Sequence, residues 1–516
     1  MKKIVIIDGV LWMYAAFLVC SMSLTSCDGF IDAVIGSVDQ PAGEKEPTVE
    51  EWLAQIPGVS DVTVKKTTVT KENPNQQTYY YFFFDQQVDH TDATKGTFKQ
   101  RVVLKYQGKK ALNVLHTQGY RTADKPDDLS TPTLVDVFEG NMIEIEYRYF
   151  GRSLPEPFEN LDFTYLYSSQ ASEDYHAIVT ALKATGQFDG QWLATGTSKS
   201  GIAAALYAYY SSKKGYNDMD LYVPFCAPFC MKVDDSRVGY YMYQNCLAAS
   251  PKAKLLLLNI DRFIVQKSYL STYLVDKYQE EYPSHVKELK EAGYADDQII
   301  ATILASYVRV SRRQLFEKLA YMPIDYWQDY IPDASDPSQL GYTKFFLERP
   351  WLEIEKYIKE HPKAGTRAKT QEEMIKFRKE DSTWPYTIQS MLELGYYRPY
   401  YDDLKPYLGL TTMEFIIDND KDMPHTDYPT YAARFSNAMT QDFIKNFLPV
   451  TTMPMIFVYG ENDPWTGCAI PDPSNPYVDK IIVPKGAHSD YINNEFYCPK
   501  EIYQQICYAI YKYIKI

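Results

Sequence analysis

Three residues of this chain, Ser198, Asp463 and His488, have the types and local settings that nucleophilic acyl transfer requires. A serine hydroxyl is a weak nucleophile at neutral pH. An imidazole can take its proton, and a buried carboxylate can fix the imidazole's tautomer and stabilise its cation. Ser198 lies in Trp192-Leu193-Ala194-Thr195-Gly196-Thr197-Ser198-Lys199-Ser200-Gly201, a hydrophobic run that enters a serine between small residues. The small-residue stretch Ile202-Ala203-Ala204-Ala205 follows. This pattern predicts a nucleophile elbow: a strand, a sharp turn exposing the serine oxygen, and a helix whose positive end begins at Lys199. Ser200 stands where G-x-S-x-G has its last glycine, and Gly201 comes one place later.

The partners lie near the C-terminus in the order Ser, Asp, His. The apolar run 454–459 leads into Gly460-Glu461-Asn462-Asp463-Pro464-Trp465, and the run 478–484 leads into Lys485-Gly486-Ala487-His488. Both patterns predict short buried strands with the functional residue on the loop at the strand's end. His488 follows Asp463 by 25 residues, one strand–helix–strand step. An oxyanion formed at such a site needs two N–H donors. One is the backbone of Lys199, after the nucleophile; the other belongs to the loop after the apolar run 112–115, at Gly119 or Tyr120.

Further strands are predicted over 78–88, 98–106, 142–149 and from 221, with a helix over 172–185. Strands alternating with helices indicate a mostly parallel sheet with helices on both faces. Asp463 lies 265 positions after Ser198, far more chain than the remaining strands need. Residues 235–448, with helical periods as at 296–321 and 352–360, read as a large helical cap inserted between two parts of the core, 48–234 and 449–516. Asp234 and Asp235 stand where the core gives way to the cap.

The motifs together resemble the secreted bacterial serine prolyl tri-/tetrapeptidyl aminopeptidases and, more distantly, the lysosomal Pro-X carboxypeptidase and dipeptidyl peptidase II group. The resemblance rests on Gln87-Val88-Asp89-His90, Gly96-Thr97-Phe98-Lys99-Gln100-Arg101, Tyr147-Arg148-Tyr149-Phe150-Gly151-Arg152-Ser153, the elbow, Asp463-Pro464-Trp465 and Gly486-Ala487-His488. It implies an α/β-hydrolase fold with a helical cap, no cofactor and no metal, Ser198, Asp463 and His488 as a catalytic triad, and Trp465 lining a proline pocket. It also implies release of short peptides ending in proline from free N-termini, which makes Asp234 and Asp235 candidates to hold the substrate's α-ammonium through charge-assisted bonds. An esterase or a carboxypeptidase on the same scaffold, or a surface protein that only captures peptides, are the alternatives.

The 516 residues are 45% hydrophobic and 23% charged, a globular composition, and the 46 tyrosines suit amphipathic clefts. A net charge of −14 without a basic run argues against nucleic-acid binding. At the N-terminus, Lys2-Lys3, an apolar stretch and Leu24-Thr25-Ser26-Cys27 resemble a bacterial lipoprotein signal. Cleavage after residue 26 would leave Cys27 acylated, anchoring an exported protein to the membrane of the cell envelope through a tether over 27–47. A one-pass anchor is the alternative. Oligomeric state is left open. Six cysteines remain after Cys20 and Cys27; they permit disulfides of unspecified pairing or buried thiols.

Overall fold

The structure, a computed structural model, describes residues 46–71, 74–156, 163–248, 269–291, 293–301, 303–304, 307–308, 312, 384–397, 404, 434–494 and 497–515. Cys27, the signal segment, most of the tether and the helical period at 352–360 lie outside the described residues. Up to Glu51 the described chain opens a helix, Val49–Ala54, on a reciprocal cap. The Thr48 N–H donates to the Glu51 carboxylate at 2.7 Å, and the Glu51 N–H donates to Thr48 Oγ1 at 3.3 Å.

From Trp52 onward the frame is one nine-stranded sheet. Its strands are β1 (Val59–Lys66), β2 (Thr78–Gln87), β3 (Thr97–Lys105), β4 (Asn113–His116), β5 (Asn141–Ile145), β6 (Trp192–Thr197), β7 (Leu221–Phe225), β8 (Met455–Gly460) and β9 (Val478–Val483). The spatial order is β1-β2-β3-β5-β4-β6-β7-β8-β9. Pairing is antiparallel from β1 to β5 and parallel from β5 to β9. The chain forms an α/β-hydrolase fold. Strands β4 to β8 are almost wholly buried, which is why they read as continuous apolar runs rather than alternating ones.

Three helices fix this frame. Helix α1 (Ser168–Ala184) packs on α2 (Lys199–Lys214), which lies along β6 and β7. Helix α3 (Lys500–Tyr511) buries Ile506 and Ile510 in the core made by Val114, Leu193, Val223, Val458 and Ile481. The described residues between β7 and β8 are mainly helical, including Ser236–Tyr241, Tyr269–Glu281 and Trp384–Gln389. No helix among the described residues is long and apolar enough to cross a membrane.

The expected strand over 142–149 stops at Ile145. Beyond it the chain turns, with Tyr149 at φ 69°, and Arg148 goes fully into the interior. There all five guanidinium N–H groups are used. Nε and Nη2 donate to the two Asp174 oxygens at 2.8 and 2.7 Å, and the rest go to the carbonyls of Gln87, Val88 and Tyr165. His90 Nε2 lies 2.8 Å from Asp174 Oδ1. The segments 87–90 and 147–153 thus meet at one buried ion pair that ties β2 and the turn after β5 to α1.

Candidate active site

The elbow is built by crowding. Ser198 takes φ 61°, ψ −123°, a conformation costing a non-glycine residue about 1–3 kcal/mol, and its N–H donates to the Phe225 carbonyl at 2.9 Å. A Cβ on Gly196 would sit 2.6 Å from the backbone of Ser200, and one on Gly201 would sit 2.6 Å from Phe225 O. Strand β6, strand β7 and helix α2 therefore approach closely enough to hold the strained serine, which is half-buried at the sheet's C-terminal edge.

Two strands away, the loops after β8 and β9 are fused. The Glu461 N–H donates to Val483 O and the Asn462 N–H to Gly486 O, at 3.0 and 2.9 Å. A Cβ on Gly460 would land 2.4 and 2.5 Å from the carbonyls of Gly486 and Ala487. This contact sets Asp463, wholly buried, against His488, 6% exposed: Nδ1 and Oδ2 are 2.7 Å apart. The other Asp463 oxygen accepts the Trp465 N–H at 2.9 Å. With the Nδ1–H donating to Asp463 Oδ2, Nε2 is left as the basic face. Cys226, next after Phe225, joins the two halves: its Sγ, Asp463 and His488 bring donor atoms within 4.8 Å of one another. Burial, then the Asp463 charge, push its thiol well above the usual range, so it stays protonated.

Because the pair depends on that close approach, Gly460→Ala is expected to push the His488 loop off Asp463. A shift of about 1 Å at such a site costs about 10²-fold in rate. Steady-state kcat of the variant checks this; a kcat within about threefold of the native value would show that the loops can give.

The oxyanion loop corrects one expectation. The Gly119 N–H is not directed at a substrate: it donates to Ser200 Oγ at 2.8 Å. The Tyr120 N–H donates to Gln118 Oε1 at 3.3 Å, a long bond within the same loop. Ser200, which departs from the G-x-S-x-G pattern, thus has a use that sequence spacing alone did not reveal.

Asp235 is corrected too. It caps the helix Ser236–Tyr241, accepts from the Met231 N–H at 2.8 Å, and is clamped by Arg237 through Nε at 3.0 Å and Nη2 at 2.7 Å. Burial opposes its charge, but the Arg237 bonds outweigh it and hold the carboxyl below the usual range. It has no capacity left for a ligand amine. Arg237, two residues on, was the readable signal. Asp234 beside it is half-buried, with no partner among the described residues.

Trp465 is half-buried, 6.3 Å from the His488 ring, edge-on to Tyr397 at 5.1 Å and Tyr396 at 6.0 Å. The two tyrosines, absent from the sequence-based set, extend this aromatic wall. The six described cysteines are thiols. Cys230, Asp235 and Cys468 also bring donor atoms within 4.8 Å, but the Arg237 cation already neutralises that carboxylate.

The sequence profile of the PS-10 peptidase S37 family matches residues 42–255, which include the elbow. A prolyl tri/tetrapeptidyl aminopeptidase of Streptomyces mobaraensis is 25% identical over 445 residues, 85% of this chain and 78% of that one. Residues 42–255 are thus similar to the S37 peptidases, and the chain as a whole to that aminopeptidase. The chain is a serine hydrolase. Solved structures similar to it include a proline iminopeptidase of Mycobacterium smegmatis, at 10% identity, 84% of this chain, 98% of that one and a TM-score of 0.32. A homoserine O-acetyltransferase of Staphylococcus aureus matches at 11% identity, 86% and 95% coverage and a TM-score of 0.34.

Proposed function

We propose that this chain releases tri- and tetrapeptides ending in proline from free N-termini, through an acyl-enzyme on Ser198. The reading is carried by the buried Asp463–His488 pair at 2.7 Å, at the same sheet edge as the strained Ser198. His488 Nε2 takes the Ser198 proton as the oxygen attacks the carbonyl after proline. His488 then protonates the departing amine, and water, activated in the same way, frees the peptide. The oxyanion takes the Lys199 and Tyr120 N–H groups, the latter in exchange for its long bond to Gln118. Trp465, with Tyr396 and Tyr397, offers flat apolar faces to a proline ring. Residues 235–448 act as the cap that limits how much peptide enters. In this reading Cys27 carries the lipid that anchors the exported enzyme to the cell envelope.

Asp234 is the remaining candidate for the substrate ammonium. Ala-Ala-Pro-p-nitroanilide with a free N-terminus is expected to be cleaved at least tenfold faster than its N-acetyl form, and Asp234→Ala to erase that preference. A variant that still prefers the free amine by the native ratio would remove Asp234 from the role. Equal rates on both substrates in the native enzyme would overturn the aminopeptidase reading itself.

A further inference from the structure

The side chain that follows the nucleophile points away from water. Lys199 is 2% exposed, and its ammonium lies among four rings: Tyr147 at 3.5 Å, Phe150 at 4.9 Å, Tyr120 at 5.4 Å and Tyr386 at 6.0 Å from their centroids. The first three rings belong to the core, and Tyr386 to the helix Trp384–Gln389 of the insertion. Its hydrogen bond goes to a backbone carbonyl, Gly119 O, at 2.5 Å. A cation excluded from water is costly unless something specific holds it there. The chain places this one against the oxyanion loop.

That loop is pinned on its other side as well. Ser200 Oγ accepts the Gly119 N–H at 2.8 Å, and Thr117 Oγ1 donates to the Ser200 carbonyl at 2.8 Å. A Cβ on Gly119 would meet Ser200 N at 2.9 Å and Lys199 Cγ at 3.0 Å, so the loop lies directly on the start of α2. Gly119 O and the Tyr120 N–H are opposite ends of one peptide plane, and no described peptide bond is cis. In a trans peptide, fixing the carbonyl's direction fixes the N–H in the opposite direction.

We infer that the Lys199 side chain is a positioning residue: by holding the Gly119 carbonyl, it aims the Tyr120 N–H as the second oxyanion donor. The inference rests on the proposed catalytic reading of Ser198 and deepens it. Elbow and oxyanion loop are then locked by the same residue, whose backbone N–H is one donor and whose side chain sets the other. Burial drives the lysine pKa well down, opposed by the Glu393 charge, so the site tolerates this cation rather than favouring it. Methionine has nearly the same length and an apolar, polarizable tip that packs against aromatic rings.

Lys199→Met is therefore the test. The variant should fold, with a Tm at or above the native value. Its kcat on Ala-Ala-Pro-p-nitroanilide and on p-nitrophenyl acetate should fall about 10²-fold, the cost of one lost oxyanion donor. A peptidyl-proline boronate, which places a charged oxygen in that hole, should lose affinity in parallel. The product peptide Ala-Ala-Pro, which does not, should bind as before. If the variant fails to fold, Lys199→Gln, too short to reach the carbonyl, is read in the same way. A native kcat in either folded variant, or equal losses for boronate and product, overturns the inference. A native enzyme that hydrolyses neither substrate and binds no boronate overturns the reading of Ser198 beneath it.

Discussion

Ser198→Ala is expected to abolish hydrolysis of both prolyl amides and simple esters, with a loss of about 10⁶-fold in kcat, and His488→Ala to cost nearly as much. The reason is that in the proposed mechanism neither group acts alone. The hydroxyl is inert without a base that removes its proton, and the imidazole has nothing to activate without the hydroxyl. The double variant Ser198→Ala/His488→Ala should therefore be no slower than the worse single variant. Asp463→Asn should cost less, because the imidazole keeps its seat between the fused loops while losing the charge that fixes its tautomer. Labelling by a fluorophosphonate gives the same information without a chosen substrate: native protein labels and both single variants do not. Losses that multiply in the double variant would mean that the two side chains serve separate steps.

The second large effect lies in stability, outside the site. Asp174→Asn leaves the fully buried Arg148 cation without its counter-charge, and removing one partner of such a pair costs about 3–5 kcal/mol. Burial alone would raise the Asp174 pKa, but the Arg148 charge and its hydrogen bonds outweigh it and hold the carboxyl below its ordinary range. A folded pKa below the unfolded one gives stability that is complete above the unfolded value, near pH 4, and is lost as pH falls through the folded value. The gap in Tm between native protein and Asp174→Asn, measured by calorimetry, should be constant from pH 7 to about 5 and narrow progressively below about pH 4. A gap that does not narrow on acidification would assign the loss to packing instead. Glu146 and Glu393, both raised by burial, shift the absolute Tm in the opposite sense, which is why the difference is the quantity to follow.

The elbow, the parallel strands and the loops of Asp463 and His488 were legible because each is a local pattern. Gly196 and Gly201 mark a close approach that only small residues permit, and the buried strands leave unbroken apolar runs. What was illegible depended on partners far along the chain. Nothing near Gly119 tells that its N–H goes to Ser200, 81 positions later. Asp174 reads as one more polar residue of an amphipathic helix until Arg148 arrives from the turn after β5. Strand β1 gave no periodic signal because, as an edge strand with residues mostly half-buried or exposed, it has no core face to encode. Asp235 is the opposite case: its partner, Arg237, stands only two residues away and occupies the carboxylate that position alone makes a candidate for an amine.

Strands β7 and β8 lie side by side, yet the polypeptide travels from Phe225 to Met455 between them. Ser198 is built before that excursion, and Asp463 and His488 are both built after it. Their alignment is held by the pairing of Tyr222 with Met455 and Phe225 with Val458. Lengthening a connection costs entropy only logarithmically. The whole intervening stretch could thus be rewritten, and with it which molecules are admitted, while the frame that aligns the three side chains stayed as it is.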